Sequence, residues 1–228
     1  MSSQYKLIIF DWDGTLMDSE AHIVHSMKQA LLELGVPVLP DDQLRQVIGL
    51  GLKEALATLV PGEAANFYQD LTDAYRKKFF DAPDEVMSLF NGIEHLIHKL
   101  HKSGYLLAVA TGKSRRGLDR QFSETGLGEF FASSRCADES RSKPAPDMLN
   151  EILQELGISA EQALMVGDTE YDLNMSKAAG CDSLAICYGV HEKERLAACA
   201  PVAMIDSVDE LHDWFDRHLL NHEKVGAM

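Results

Sequence analysis

Residues 6 to 15 read Lys6-Leu7-Ile8-Ile9-Phe10-Asp11-Trp12-Asp13-Gly14-Thr15. An apolar run without alternation marks a strand buried on both faces, and the abrupt change to Asp-x-Asp-Gly marks its end in a polar loop. Comparable runs recur at Leu106 to Ala110, Ala163 to Val166 and Leu184 to Cys187, with a weaker one around Phe130 to Ser133. Between them lie helical patterns. Ile93, Leu96, Ile97 and Leu100 repeat at i, i+3, i+4 and i+7 before Gly104, and Met148, Ile152, Leu153 and Leu156 form a second apolar stripe before Gly157. Strands that alternate with helices of roughly 10 to 15 residues predict an α/β fold, a parallel doubly wound sheet with helices on both faces.

One stretch breaks the alternation. From about Ala21 to Phe80 only helical periodicity is present: Ile23, Met27, Ala30, Leu31 and Leu34 end at Gly35; Leu44, Val47 and Ile48 follow; Phe67, Leu71 and Tyr75 make a third stripe. This predicts an inserted all-helical unit over residues 18–83, with the α/β core built from 1–17 and 84–228. The core resumes after Pro83 and Gly92, and Ser207-Val208-Asp209-Glu210 is a capping box opening a helix through Leu211, Trp214, Phe215 and Leu219. Only the tail Asn221 to Met228 lacks periodic apolar order.

The chain has 228 residues, 46% of them hydrophobic, enough for one large core and a second smaller one. No run of about 18 apolar residues is present, and Met1 to Lys6 lack the basic-then-apolar order of a secretory signal, so the expected compartment is the cytoplasm. The four cysteines form no C-x-x-C pair and read as reduced, small buried side chains. A formal charge of −15 repels polyanions, which argues against nucleic acid or an anionic membrane as partners. A small anionic substrate then needs a local cationic site.

Carboxylates stand where two of the strands end. Asp11 and Asp13 follow the first, and Gly167-Asp168-Thr169-Glu170-Tyr171-Asp172 follows the fourth. The carboxyl ends of parallel strands border the ligand crevice of such sheets, so the two segments can converge. Four carboxylates in one crevice repel unless cations hold them, and oxygen ligands of this kind suit Mg²⁺. Thr111-Gly112-Lys113, after the second strand, offers a hydroxyl and backbone N–H groups leading into a helix start, an anion cradle. Lys143 stands just before Pro144 and Pro146, at a loop-to-helix junction.

In order and spacing, Asp11-Trp12-Asp13-Gly14-Thr15, Thr111, Lys143 and Gly167-Asp168-(three residues)-Asp172 resemble the four motifs of the haloacid dehalogenase superfamily. The resemblance spans Lys6 to about Leu211. Each motif falls at an expected strand end, and the helical insertion is similar to the cap of the subfamily that includes phosphoglycolate phosphatases. The resemblance implies a Rossmann-like core and a Mg²⁺-dependent phosphatase acting on a small phosphorylated metabolite, phosphoglycolate-like or a sugar phosphate. It also implies roles. Asp11 is the nucleophile, forming an aspartyl phosphate; Asp13 is the general acid and base. Mg²⁺ is held by Asp11, the Asp13 backbone carbonyl and Asp168, with Asp172 supporting the metal or Lys143. Thr111, the Gly112 amide and Lys143 neutralise the transferring phosphoryl group. Two positions depart from the pattern: Trp12 replaces a smaller apolar residue, and Gly112 stands where many relatives have asparagine.

Other residues carry two readings each. Asp172 can cap the following helix through Thr169, alone or together with its supporting role. Lys53, beside the Gly49/Gly51 link, is the candidate contact for the substrate's non-phosphate end with Arg45 behind it; solvated surface charge is the alternative for both. Arg115 and Arg116 read as exposed. His95, His98 and His101 step about 60° each around a helix and cannot close on one ion. A phosphosugar mutase of the same fold is the alternative function; its usual cap-hinge histidine position is Ile23 here, with His22 beside it. A non-catalytic binding protein is a further alternative. The sequence is silent on oligomeric state.

Overall fold

The computed structural model describes residues 5–81 and 87–220. The chain enters through β1 (Leu7–Phe10), whose four residues are fully buried. Side chains alternate across a strand, so Ile8 and Phe10 face one layer while Leu7 and Ile9 face the other. The first pair packs with Leu107, Val109, Leu164 and Val166 beneath helices α5 (Ile93–Lys102), α6 (Arg115–Thr125) and α9 (Val208–Phe215). The second pair packs with Ala108, Ala110 and Met165 beneath α7 (Asp147–Leu156) and α8 (Glu170–Ala179). The unbroken apolar run of residues 7 to 10 is thus what a strand with helices on both faces requires.

The six-stranded sheet runs β5-β4-β1-β6-β7-β8, every neighbouring pair parallel. Its other members are β4 (Leu106–Thr111), β5 (Ser133–Cys136), β6 (Ala163–Gly167), β7 (Asp182–Ile186) and β8 (Ala203–Ile205). Four of the expected strands fall within a residue or two of their sequence positions. The weak one does not: residues 128–130 form a short 3-10 turn and the strand begins at Ser133. The short edge strand β8 has no counterpart in the sequence reading.

Residues 20–81 carry four helices, α1 (Glu20–Glu33), α2 (Asp41–Arg45), α3 (Leu52–Leu59) and α4 (Ala65–Asp81). They enclose their own apolar cluster, centred on Met27, Leu31, Leu44, Val47, Leu56 and Leu71. Two extended chains lead into and out of this unit. β2 (Met17–Asp18) pairs antiparallel with β3 (Ser88–Leu89), so Asp18, the first residue of the expected helical span, is a strand residue. The expected return to the core near residue 84, with Pro83, lies outside the described residues, as does the tail 221–228.

Candidate active site

The sheet order places β1 at the point where the chain reverses direction: β4 and β5 lie on one side of it, β6 to β8 on the other. Loops leaving the carboxyl ends of strands diverge at such a point and leave a crevice. Asp11 N–H donates to the Val166 carbonyl at 2.9 Å, which carries the ladder one residue past β1 and sets Asp11 against the end of β6. The two carboxylate-bearing loops meet there.

Lys143 is the centre of charge. Its ammonium is buried and lies 2.8 Å from Asp11 Oδ1 and 2.6 Å from Asp172 Oδ1. Burial opposes its charge, but Asp11 and Asp172 outweigh this and hold it above the usual lysine range. The other oxygen of Asp172 accepts from the Thr169 N–H at 3.1 Å and the Thr169 hydroxyl at 2.7 Å, completing a capping box at the start of α8. Asp172 therefore caps the helix and supports Lys143 at the same time. Gly167 is required beside it, since a Cβ there would sit 2.4 Å from the Asp172 Cβ.

Asp168 is fully buried and spent on neutral donors: the Thr15 hydroxyl at 2.7 Å and the Val190 N–H at 2.9 Å. Burial first, then the charges of Asp11 and Asp172, push its carboxyl well above the usual range. Gly14, at φ +80°, packs so closely that a Cβ would lie 2.2 Å from Asp168 Oδ2. Asp11 is likewise raised, to about 7, by burial, with Lys143 opposing and Asp172 adding to the rise. Asp11 Oδ1 accepts from the Trp12 N–H at 2.7 Å, whereas Oδ2 is buried without a hydrogen-bond partner among the described residues.

Asp11, Asp168 and Asp172 bring carboxylate oxygens within 4.8 Å of one another. One buried ammonium does not balance three buried carboxylates, and one of their oxygens has no donor. A hard divalent cation fits this donor set. Asp172 stands in the cluster, with one oxygen on Lys143 and the other on Thr169.

Asp13 takes no part in that cluster through its side chain. Its carboxylate accepts from the Ser19 hydroxyl at 2.6 Å and from the Lys113 ammonium, 3.0 Å from each oxygen. Lys113 is buried, with its ammonium 4.9 Å from the centre of the Phe79 ring in α4. The sequence reading used Lys113 only for its backbone. Its position two residues after Thr111 was the available signal, but the direction of a four-carbon side chain is not written in spacing. The Thr111 hydroxyl accepts from the Lys113 N–H at 3.2 Å, curling the loop ahead of α6.

The helical unit closes over this end of the sheet through the link 48–51. A Cβ on Gly112 would lie 2.5 Å from the Leu50 carbonyl oxygen, and one on Gly49 would lie 2.9 Å from Thr169 Oγ1. The Gly51 N–H donates to Ser142 Oγ at 2.7 Å. Glycine at 112 thus admits the backbone of the link where an asparagine side chain would stand. Trp12 fills the core under α6, edge-on to Phe122 and Phe131.

A cavity of about 590 Å³ lies between the helical unit and the core, reaching Asp11, Asp13, Thr111 and Gly112 at its floor. Lys53 lines it. Arg45 does not: it is exposed and paired with Glu20, so the placement of Arg45 behind Lys53 is corrected. Arg115 is occupied by Glu139, Asp119 and Ser134, while Arg116 lies over the Phe80 ring. His95, His98 and His101 are exposed on α5. His22 is buried, its Nε2 3.0 Å from the Phe79 carbonyl oxygen.

A phosphoglycolate phosphatase of Vibrio parahaemolyticus is 29% identical over 215 residues, covering 90% of this chain and 94% of that protein. A tyrosine-protein kinase PtkA of Mycobacterium tuberculosis is 31% identical over 212 residues, 91% of this chain and 72% of that one. The crystal structure of a predicted phosphatase from Clostridium acetobutylicum superposes with a TM-score of 0.84 at 27% identity, covering 93% and 99% of the two chains. The family model for haloacid dehalogenase-like hydrolases matches residues 8–186, the span that holds every carboxylate described above, and the chain belongs to that family.

Proposed function

We propose that this chain is a Mg²⁺-dependent phosphatase that hydrolyses a small phosphomonoester through an aspartyl-phosphate intermediate. The observation that carries the reading is Asp11, a residue that lines the cavity, whose Oδ2 is buried with no donor among the described residues while an ammonium holds its twin oxygen in place. Such an oxygen is positioned to attack phosphorus.

In this reading Asp11 Oδ2 forms a bond to phosphorus as the bond to the leaving alcohol oxygen breaks, and Asp13 delivers a proton to that oxygen. Asp13 then takes a proton from water as the water oxygen bonds to phosphorus and the Asp11 acyl phosphate bond breaks. Thr111, the Gly112 N–H and Lys143 receive the phosphoryl oxygens. Asp11, Asp168 and the Asp13 carbonyl would hold the cation, which supplies charge neutralisation at the phosphoryl group, with Asp172 keeping Lys143 in place. Lys53 lies where it could meet the far end of the substrate. Family membership, a matching residue at every motif position and four unpaired cysteines support a catalytic, cytoplasmic protein over a binding module. His22 bears on the mutase alternative: its Nε2 is engaged with the Phe79 carbonyl, which supports hydrolysis.

The test is release of inorganic phosphate from a phosphomonoester panel with Mg²⁺, with and without chelator, alongside ATP with peptide acceptors. Phosphate release that chelator abolishes supports the reading; phosphate passed only to an acceptor would overturn it.

A further inference from the structure

The cavity's shape and wall chemistry bear on what the phosphate is attached to. Its volume of about 590 Å³ lies in the range that takes a ligand of drug size, far beyond what a two-carbon acid phosphate fills. Its upper wall is apolar and aromatic: Ile23 and Met27 of α1, Leu50 of the link, and Tyr68, Tyr75 and Phe79 of α4. The three α4 residues stand at i, i+7 and i+11, one face of the helix, with the Tyr75 and Phe79 rings 5.7 Å apart.

Charge tells the same story from the other side. Of the buried lysines, Lys113 lines the cavity and is paired with both oxygens of Asp13, and Lys143, beside Asp11 but outside the lining, is paired with Asp11 and Asp172. The remaining cations of the lining, Lys53 and Arg76, are exposed, and Glu54 and Asp138 line the same cavity with opposite sign. A carboxylate two bonds from the ester oxygen would stand near Asp11 and Asp13 with no uncommitted buried ammonium among the described residues to receive it. Planar rings, by contrast, gain both apolar burial and ring contacts against such a wall.

We infer that the preferred substrate is the phosphomonoester of a neutral alcohol carrying an aromatic or heteroaromatic ring, held in the space between α1, α4 and the link 48–51. The inference rests on the phosphatase reading. It goes beyond that reading because a phosphatase for a short acidic substrate would use the same floor.

The experiment compares three primary alkyl phosphates, so that leaving-group chemistry is nearly constant and only the attached group differs: benzyl phosphate, ethyl phosphate and 2-phosphoglycolate. With the wild-type protein and Mg²⁺, kcat/KM should be at least tenfold higher for benzyl phosphate than for either of the others. In Tyr75→Ala the benzyl-to-ethyl ratio should fall by threefold or more, and circular dichroism checks that the variant is folded. A kcat/KM for 2-phosphoglycolate equal to or above that for benzyl phosphate overturns the inference while leaving the phosphatase reading intact. A benzyl-to-ethyl ratio near one in the wild type overturns it as well. No turnover of any of the three defeats the phosphatase reading, and the inference falls with it.

Discussion

Asp11 has one oxygen fixed by Lys143 and the Trp12 amide and one that no described residue holds, and its burial has a thermodynamic signature. Burial raises its carboxyl from an ordinary 3.8 to about 7, against the pull of Lys143. Between those values the native state keeps a proton that the unfolded chain has released, so stability falls as pH rises through the window and the penalty is constant above it. Asp11→Asn removes this titration. In chelator, the Tm of Asp11→Asn minus that of the wild type should widen from pH 4 to 7 and then level; a flat difference would show Asp11 ionised throughout. The same variant should show no measurable phosphatase turnover with its circular dichroism unchanged. Lys113 acts on the partner carboxylate. Lys113→Met leaves Asp13 buried with only Ser19, a loss of the kind that costs about 3–5 kcal/mol when one partner of a buried pair is removed. Its kcat should drop more for ethyl phosphate, whose leaving oxygen needs a proton, than for an aryl phosphate, whose leaving oxygen does not. Equal losses on the two would place Lys113 outside the proton path.

At the scale of elements, the link 48–51 is a close backbone contact between helical unit and core, and Gly112 is its floor. Gly112→Ala would drive a Cβ into backbone, the Leu50 carbonyl, which a side-chain rotation cannot relieve. The link should lift. Overpacking of this kind costs roughly 1–3 kcal/mol, and the expected readout is faster hydrogen exchange at the Gly51 amide, now bonded to Ser142, with a higher KM and unaltered core protection. Unchanged Gly51 exchange would mean that the link does not bear on Gly112 in solution. The elements also divide by how legible they were. Strands β1, β4 and β6 are buried on both faces and read as apolar runs, and β7 does so from Leu184 onward, after Asp182 and Ser183. β5 reads Ser-Ser-Arg-Cys at the sheet edge, and the apolar signal belongs to Phe130 and Phe131, which pack beside it rather than in it. β2 and β3 are two residues each, too short for any period. Three of the motif loops were legible because each sits at a strand end, while Lys143 lies in the loop between β5 and α7 and was marked by the prolines after it; the Lys113 to Asp13 pair was not legible, because 100 residues and a flexible side chain separate the partners.

Over the whole molecule the charge is −15, and the substrate proposed for it is itself a dianion. The field that excludes polyanions also slows the arrival of a phosphomonoester, except within reach of local cations. At 0.01 M ionic strength the screening length is about 30 Å, comparable to the protein, so an approaching dianion feels most of the net charge; at 0.1 M it is about 10 Å and only the cavity mouth matters. Lys53 and Arg76 are exposed on the lining of the cavity and can attract over that shorter distance, but Glu54 and Asp138 offset them. Added salt should therefore raise kcat/KM for a dianionic substrate by roughly two- to tenfold between those ionic strengths, with kcat nearly constant, because the effect lies in encounter rather than in chemistry. The measurement needs Mg²⁺ held saturating so that weakened cation binding does not mask the trend. A fall in kcat/KM with salt would show that Lys53 and Arg76 dominate the local field, and Lys53→Ala should then abolish the salt dependence.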